Sequence, residues 1–236
     1  GARYQRIRAL ASTIRPKRAA RSGETALGAL ADRGVEYIEV RCIDLNPYEP
    51  LGITLEQIRF LDAFLLYCLL SESSQTDSLK YRRGQENQRR IVAQGRDPNL
   101  RLLSAVGELS PAQWGSELLD DIARVAEMLD VSYDTRDYSA AVEAQRAKLD
   151  NPELTPSARI LADMAATGET FFGFAMRQSL QHSQYYAQRP LADEELQQMQ
   201  QQAEFSLQAQ SALDAEPQID FEDYLRAYYA QYTYCQ

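Results

Sequence analysis

The sequence predicts a mainly helical α+β fold with a short β-sheet contribution at its N-terminal end. Residues Tyr37–Asp44 alternate between apolar and polar side chains, which is typical of a strand. After Leu55, apolar residues recur every three or four positions through most of the chain, which is typical of helices. Two pairs of a capping residue and a proline, Ser110-Pro111 and Thr155-Pro156, mark helix starts. We therefore expect one clear strand and seven or eight helices.

The N-terminal elements are expected in the order extended segment, helix, strand. Arg15-Pro16 opens the extended segment, because the residue before a proline is pushed away from helical backbone. Thr25–Arg33 has a helical pattern that ends at Gly34, and the strand follows over Tyr37–Asp44. A turn follows at Asn46, Pro47 and Pro50.

Apolar stripes predict which faces of the later helices are buried. The first stripe consists of Leu55, Ile58, Leu61, Leu65, Leu66 and Leu69. The second consists of Leu118, Leu119, Ile122, Val125 and Leu129. Helices are also expected after Thr155-Pro156, from about Glu169 to Gln188, from about Ala192 to Leu213 and near Phe221–Tyr232.

Three features of the C-terminal half have ordinary structural interpretations. The tyrosines between Phe221 and Tyr232 are expected to dock their helix on the core, because tyrosine buries its ring and keeps its hydroxyl wet. The alternative is an exposed surface for a partner. The glutamine-rich tract Gln197–Gln202 is expected to be a solvated helix face. His182 lies among polar residues and is expected at the surface or at a rim, without a catalytic role.

Composition excludes several classes of function. The formal net charge is -9, which disfavours nucleic acid or an anionic membrane surface as the main partner. The most apolar run, Leu61–Leu70, is shorter than the roughly 18 residues that span a bilayer. Three dispersed cysteines fit free thiols in a reducing cytoplasm, and with a single histidine they provide no cysteine or histidine metal site.

Two charged residues in the predicted strand are candidate site residues. Glu39 and Arg41 share one strand face, about 7 Å apart at Cα. Ile38, Val40 and Cys42 lie on the other face, which is expected to be the core side. A carboxylate at this spacing could hold Mg²⁺ while the guanidinium clamps a phosphate. A surface salt bridge would use the same residues, so spacing alone leaves both interpretations open.

Longer segments resemble the glutamate-cysteine ligase family of proteobacterial single-chain enzymes. The resemblance begins in "RSGETALGALADRGVEYIEVRCIDLNPYEPLGITLEQIRFLDAFLLYC" and continues in "ENQRRIVAQGRDPNL". It extends through "DNPELTPSARIL" to "FFGFAMRQSLQH", so it covers most of the chain in order.

The resemblance implies an activity and a set of partners. Enzymes of this family activate the γ-carboxylate of L-glutamate with ATP as an acyl phosphate and join it to the amino group of L-cysteine, the first step of glutathione biosynthesis. Mg²⁺ (or Mn²⁺) bridges the ATP phosphates. Within the family motif "YIEVR", the glutamate is a metal ligand and the arginine addresses the transferred phosphate, which implies metal binding by Glu39 and catalysis by Arg41.

The resemblance also implies how the chain is organised. Residues 1–236 correspond to the C-terminal portion of the catalytic domain, with an active-site strand region over 1–50 and a helical region over 51–236. The family's catalytic sheet is antiparallel and resembles that of glutamine synthetase. The N-terminal half that completes this sheet is an expected partner of the chain.

Two departures from the family keep other interpretations open. The first 37 residues contain no acidic cluster that would replace the other metal-binding glutamates of the family. Ala11 stands where family members tend to have a tyrosine that contacts the bound cysteine. The alternatives are therefore a non-catalytic binding or regulatory protein derived from the ligase, or a related carboxylate-amine ligase that uses another amine.

Overall fold

A computed structural model describes residues 13–41 and 43–232 and shows a mainly helical chain. Helices account for 66% of it, and the strands form two short antiparallel sheets. This confirms the predicted fold class. The strands are β1 (Ile14–Lys17), β2 (Tyr37–Val40), β3 (Leu102–Leu103) and β4 (Glu108–Leu109). The helices are α1 (Ala26–Arg33), α2 (Leu55–Leu70), α3 (Ser78–Gln94), α4 (Pro111–Tyr133), α5 (Asp137–Asp150), α6 (Pro156–Thr167), α7 (Phe171–Ala187), α8 (Asp193–Ala215) and α9 (Phe221–Ala230), with a 3₁₀ turn at Pro152–Leu154.

The chain divides into two compact units. One comprises the residues up to Asp44 together with those from Arg189 onward, and the other comprises Leu45–Gln188. These units are defined by contacts within the chain. They do not test the catalytic-domain organisation predicted from the family, with regions 1–50 and 51–236, which stays a prediction.

The first unit contains the β1–β2 ribbon and the helix that connects its strands. Helix α1 begins where the Thr25 hydroxyl accepts a hydrogen bond from the amide of Gly28, and it ends at Gly34 with a positive φ of 72°. The side chain of Gln231 anchors this helix start, accepting from the Thr25 amide at 3.0 Å and donating to the Gly23 carbonyl at 2.7 Å. These local signals confirm the predicted helix.

The two last helices of this unit are largely exposed. All residues of α8 are solvent-exposed, in agreement with the solvated face predicted for its glutamines. In α9, Tyr224 and Tyr229 are exposed and Tyr228 is only half-buried, so the prediction that the tyrosines are buried on the core was wrong for this chain. The rings instead pack on one another, with the Tyr224 and Tyr228 centroids 6.0 Å apart.

The second unit has its core where α2, α4 and α5 meet. The stripe predicted on α4 is confirmed, because Leu119, Ile122 and Val125 are buried. The face predicted for α2 was wrong. Ala63 is the buried residue of that helix, and the residues around it pack on the core, whereas the predicted Leu55, Ile58 and Leu69 are exposed.

Capping residues define the helix starts of this unit as the sequence indicates. Ser110 accepts from the amide of Gln113 at 3.1 Å and the Gln113 side chain accepts in return from the Ser110 amide, which is a capping box. The hydroxyl of Thr155 caps α6 by accepting from the amide of Ala158 at 3.4 Å. Each start is followed by proline at the first helical position.

Asp130 joins α4 to α5. Its carboxylate, 8% exposed, accepts from the amides of Tyr138 at 2.9 Å and Ser139 at 3.0 Å, in the first turn of α5. Burial raises the pKa of Asp130, but the hydrogen bonds from Ser139 and Tyr138 outweigh this effect and leave the pKa below its usual range.

Asp130→Asn is expected to lower the free energy of unfolding at pH 7 by about 1–2 kcal/mol, because an amide has only one oxygen for two backbone donors. A carboxyl group with a lowered folded pKa stabilises above its unfolded pKa, near 4, and this stability is lost as pH falls through the folded pKa. The difference in the free energy of unfolding between Asp130→Asn and the unmutated chain should therefore shrink below about pH 4. Urea unfolding followed by Trp114 fluorescence, at pH 7 and at pH 3, measures this free energy.

Asp62→Asn, at an exposed position of α2, is the matched control for this prediction. It removes the same charge and is expected to change stability little at either pH. An Asp130→Asn variant that was destabilised equally at pH 7 and pH 3 would contradict the role assigned to the carboxylate.

No described helix is both long enough and apolar enough to cross a membrane.

Candidate functional site

The β1–β2 ribbon brings the predicted site residues together on one face. The strands are antiparallel, with Arg15 opposite Glu39 and Lys17 opposite Tyr37. The amide of Arg41 donates to the Thr13 carbonyl at 2.7 Å, so the pairing continues one residue beyond Val40. Because directly opposite residues share a face, the polar face carries these residues: Thr13, Arg15, Lys17, Tyr37, Glu39 and Arg41.

The other face of the ribbon is apolar but not buried. It carries Ile14, Pro16, Ile38 and Val40, and Ile38 is 44% exposed. The prediction that this face is the core side was therefore wrong within this chain. A two-stranded ribbon has too little surface to bury a face by itself. Cys42, predicted on the same face, lies outside the described residues.

Glu39 is held between two cations. Its Oε2 lies 2.9 Å from Nζ of Lys17 on the neighbouring strand, and its Oε1 accepts a hydrogen bond from Nε of Arg41. The hydrogen bond from Lys17, with that from Arg41, lowers the pKa of Glu39 to about 2. The carboxylate is therefore ionised throughout the physiological range.

The direct ion pair is one of the two arrangements that the spacing allowed. The side chain of Arg41 is 50% exposed and that of Glu39 is 29% exposed, so both remain accessible to a ligand. Exposed ion pairs of this kind contribute little to stability. The pair therefore leaves the metal and phosphate roles of Glu39 and Arg41 open, and both stay predictions.

Glu39 fits a divalent cation as one oxygen ligand of a larger set. An ionised carboxylate is the ligand that Mg²⁺ prefers. In the described part of the chain, no three histidine, cysteine, aspartate or glutamate side chains come together as a metal site.

The loop between β1 and α1 is fixed by ion pairs and hydrogen bonds. Glu24 forms a bidentate pair with Arg33, with both nitrogen–oxygen distances at 2.7 Å, and this hydrogen bonding lowers the pKa of Glu24 to about 2. Arg33 also donates to the Ala19 carbonyl, and the Ala19 amide donates to the carboxylate of Glu36 at 3.0 Å. These contacts tie the loop after β1 to the start of β2 and keep the ribbon in register.

Sequence reasoning missed Lys17. Its contact with Glu39 depends on the pairing of two strands separated by a helix, which periodicity within one strand does not reveal. The extended segment predicted from Arg15-Pro16 is confirmed as β1. The available signal was the alternation within "IRPK", which places Arg15 and Lys17 on one side of a strand.

The turn that follows β2 along the chain is held by contacts within the second unit. The hydroxyl of Tyr48 donates to Oδ2 of Asp163 at 2.8 Å, and the guanidinium of Arg159 lies 4.1 Å from the centre of its ring. Nε2 of His182 lies 2.8 Å from the carbonyl of Pro47. His182 thus has a structural contact at a rim, as predicted. The position of the proposed cysteine contact, Ala11, lies outside the described residues.

Comparisons with known proteins agree on one family. The family model described as Glutamate-cysteine ligase matches residues 4–91. The glutamate-cysteine ligase of Pseudomonas paraeruginosa is 44% identical over 219 residues, which are 93% of this chain and 41% of that protein. The corresponding enzyme of Saccharophagus degradans is 40% identical over 95% of this chain and 42% of its own length.

The fold agrees as well. The crystal structure of glutamate-cysteine ligase from Francisella tularensis in complex with AMP superimposes with a TM-score of 0.85 at 31% identity, covering 95% of this chain and 44% of that one. This chain spans about two fifths of the length of the curated relatives it matches. By sequence and by fold, it is therefore homologous to the C-terminal portion of the glutamate-cysteine ligases.

Proposed function

We propose that this chain supplies part of the active site of an ATP-dependent ligase that joins the γ-carboxylate of L-glutamate to the amino group of L-cysteine. The observation that carries the proposal is the accessible pair of Glu39 and Arg41 on one strand face, in a chain 44% identical to a glutamate-cysteine ligase. The Francisella tularensis structure contains AMP, which supports a nucleotide as co-substrate.

The proposed reaction has two steps. An oxygen of the glutamate γ-carboxylate attacks the γ-phosphorus of ATP, and the bond to ADP breaks. The cysteine nitrogen then attacks the acyl carbon of the γ-glutamyl phosphate, the carbon–oxygen bond to phosphate breaks, and the nitrogen loses a proton. Both steps move negative charge onto phosphate oxygens, which fixed cationic donors stabilise.

In this proposal Arg41 and Glu39 help to stabilise the negative charge that develops on the phosphate oxygens. The guanidinium of Arg41 donates to two oxygens of the transferred phosphoryl group, for which its planar fork is suited. Glu39 would hold Mg²⁺ through one carboxylate oxygen. When bound, Mg²⁺ would neutralise charge on the ATP phosphates.

The rest of the enzyme is a proposed partner of this chain. One carboxylate is too few protein ligands to hold Mg²⁺ by itself, and in the described part of the chain no group of three potential metal-binding side chains includes Glu39. We propose that the remaining ligands and the strands that extend the β1–β2 ribbon come from the N-terminal portion of the same enzyme. The cytoplasmic location predicted from the cysteines stays a prediction.

A chimera tests the proposed function. This chain would replace the matching region of the Pseudomonas paraeruginosa enzyme, with which it is 44% identical. The chimera is expected to consume ATP in a reaction that requires both glutamate and cysteine and forms γ-glutamylcysteine, and this chain alone is expected to be inactive. Product is measured by mass spectrometry and ATP consumption by a coupled assay.

Two other outcomes correspond to the alternatives. A folded chimera with no ligase activity on any amine would favour a non-catalytic protein derived from the ligase. Ligation of glutamate to another amine, in preference to cysteine, would favour a related carboxylate-amine ligase and would fit the replacement of the family tyrosine by Ala11.

A further inference from the structure

The second unit contains a cavity of about 630 Å³ that the proposed function does not use. All of its lining residues belong to this unit, and neither Glu39 nor Arg41 is among them. Binding sites for small molecules are typically cavities of about 300–1,000 Å³ with apolar walls and a few polar groups. The cavity is therefore large enough for a small organic ligand.

One wall of this cavity is apolar. It is lined by Phe60 of α2, Leu118 of α4 and Leu149 of α5, which pack against the core but are only half-buried. Helices α4 and α5 approach closely at Gly115, where an added Cβ atom would lie 2.8 Å from Cδ2 of Leu149. The wall is thus built from packed helices, and an apolar ligand group would remove its exposed part from water.

Asn46 supplies the cavity with a donor that has no acceptor. The residue is only 7% exposed and belongs to the cavity lining. Its Oδ1 accepts a hydrogen bond from the amide of Tyr48 at 3.1 Å, so Nδ2 is the donor end, and Nδ2 has no acceptor among the described residues. A donor on a buried side chain is costly to leave unpaired. Asn46 therefore marks a position for an oxygen atom of a ligand.

Two side chains of opposite charge complete the lining. The guanidinium of Arg159 lies 4.1 Å from the centre of the Tyr48 ring, and Glu49 is a half-buried residue. Within the ranges that the structure describes, neither Arg159 nor Glu49 forms an ion pair. The other two charged residues of the lining, Glu56 and Lys148, pair with each other at 3.5 Å. The cavity thus offers one cation and one anion to a ligand.

We infer that this cavity binds a small zwitterion with an apolar side chain, the class of the apolar α-amino acids. The ligand carboxylate accepts hydrogen bonds from Nδ2 of Asn46 and from the guanidinium of Arg159. The ligand ammonium pairs with the carboxylate of Glu49, and its side chain covers the apolar wall. This assignment follows from the cavity alone and does not depend on the proposed function.

Binding of L-phenylalanine to this chain, measured by NMR titration of the isotope-labelled protein, tests the inference. A ligand of this size is expected to bind with a Kd of about 1 mM or below. Hydrocinnamate, which lacks the ammonium, and phenethylamine, which lacks the carboxylate, should each bind at least about tenfold more weakly, because each loses a charged partner. L-Glutamate and L-cysteine, which lack the apolar body, should also bind more weakly than L-phenylalanine.

Asn46→Asp and Arg159→Gln test the carboxylate end of the site. Asn46→Asp retains an acceptor for the Tyr48 amide but replaces the donor by a negative charge, and Arg159→Gln removes the cation. Each should weaken binding of L-phenylalanine at least about tenfold. Arg124→Gln is the matched control, because Arg124 is an exposed residue of α4 that does not line the cavity. It loses the same charge as Arg159→Gln and should leave binding unchanged.

Glu49→Gln separates a zwitterion from a simple carboxylate. It should weaken binding of L-phenylalanine and strengthen binding of hydrocinnamate, whose carboxylate Glu49 repels. The inference would be overturned if the folded chain showed no saturable binding of L-phenylalanine, or bound hydrocinnamate equally well. Equal weakening by Arg159→Gln and Arg124→Gln would overturn it too. Circular dichroism verifies that each variant is folded.

Discussion

Glu39→Gln in the ligase chimera is expected to raise the Mg²⁺ concentration needed for half-maximal activity by at least about tenfold. A neutral amide is a poorer ligand for a hard cation than a carboxylate. Replacing groups that only orient metal ligands costs about 10- to 100-fold in affinity, so loss of a ligand itself should cost no less. Initial rates of ligation measured over a range of Mg²⁺ concentrations provide the test.

Glu24→Gln is the matched control for this experiment. Glu24 belongs to the same unit and its pKa is lowered to about the same value, but its carboxylate pairs with Arg33 in the loop before α1. Its replacement is expected to leave the Mg²⁺ requirement unchanged. An unchanged Mg²⁺ requirement in Glu39→Gln would contradict metal binding, and the ion pair with Lys17 and Arg41 would then be its role.

Local signals in the sequence were sufficient for helix starts and for helices with one apolar stripe. Ser110 and Thr155 cap the amides that their positions predict, and α4 buries the predicted stripe. The buried face of α2 was not predictable in this way, because the helix carries apolar residues nearly all round. The side that packs on the core contains Ala63, with Phe60, Phe64 and Tyr67 beside it.

Contacts between elements that are distant in sequence determine the features that the sequence did not reveal. The tyrosines of α9 have a pattern typical of a buried face, yet Tyr224 and Tyr229 are exposed in this chain, which spans about two fifths of the length of its relatives. The residues of the candidate site were also only partly predictable from the sequence. Alternation within one strand places Glu39 and Arg41 on a common face, but only the register with β1 adds Lys17 and Arg15.

Arg41→Lys is expected to lower the turnover number of the ligase chimera by about a hundredfold while leaving its Mg²⁺ requirement unchanged. Lysine keeps the positive charge but cannot donate two parallel hydrogen bonds to one phosphoryl group. Loss of a positioned donor to developing charge typically costs about 10²- to 10³-fold in turnover. Steady-state kinetics at saturating ATP, glutamate and cysteine measure the effect.

Arg18→Lys, which preserves a cation beside the ribbon but off its polar face, should retain full turnover. Unchanged turnover would mean that the fork of Arg41 contacts no transferred phosphate, and its hydrogen bond to Glu39 would then be a surface ion pair without a catalytic role.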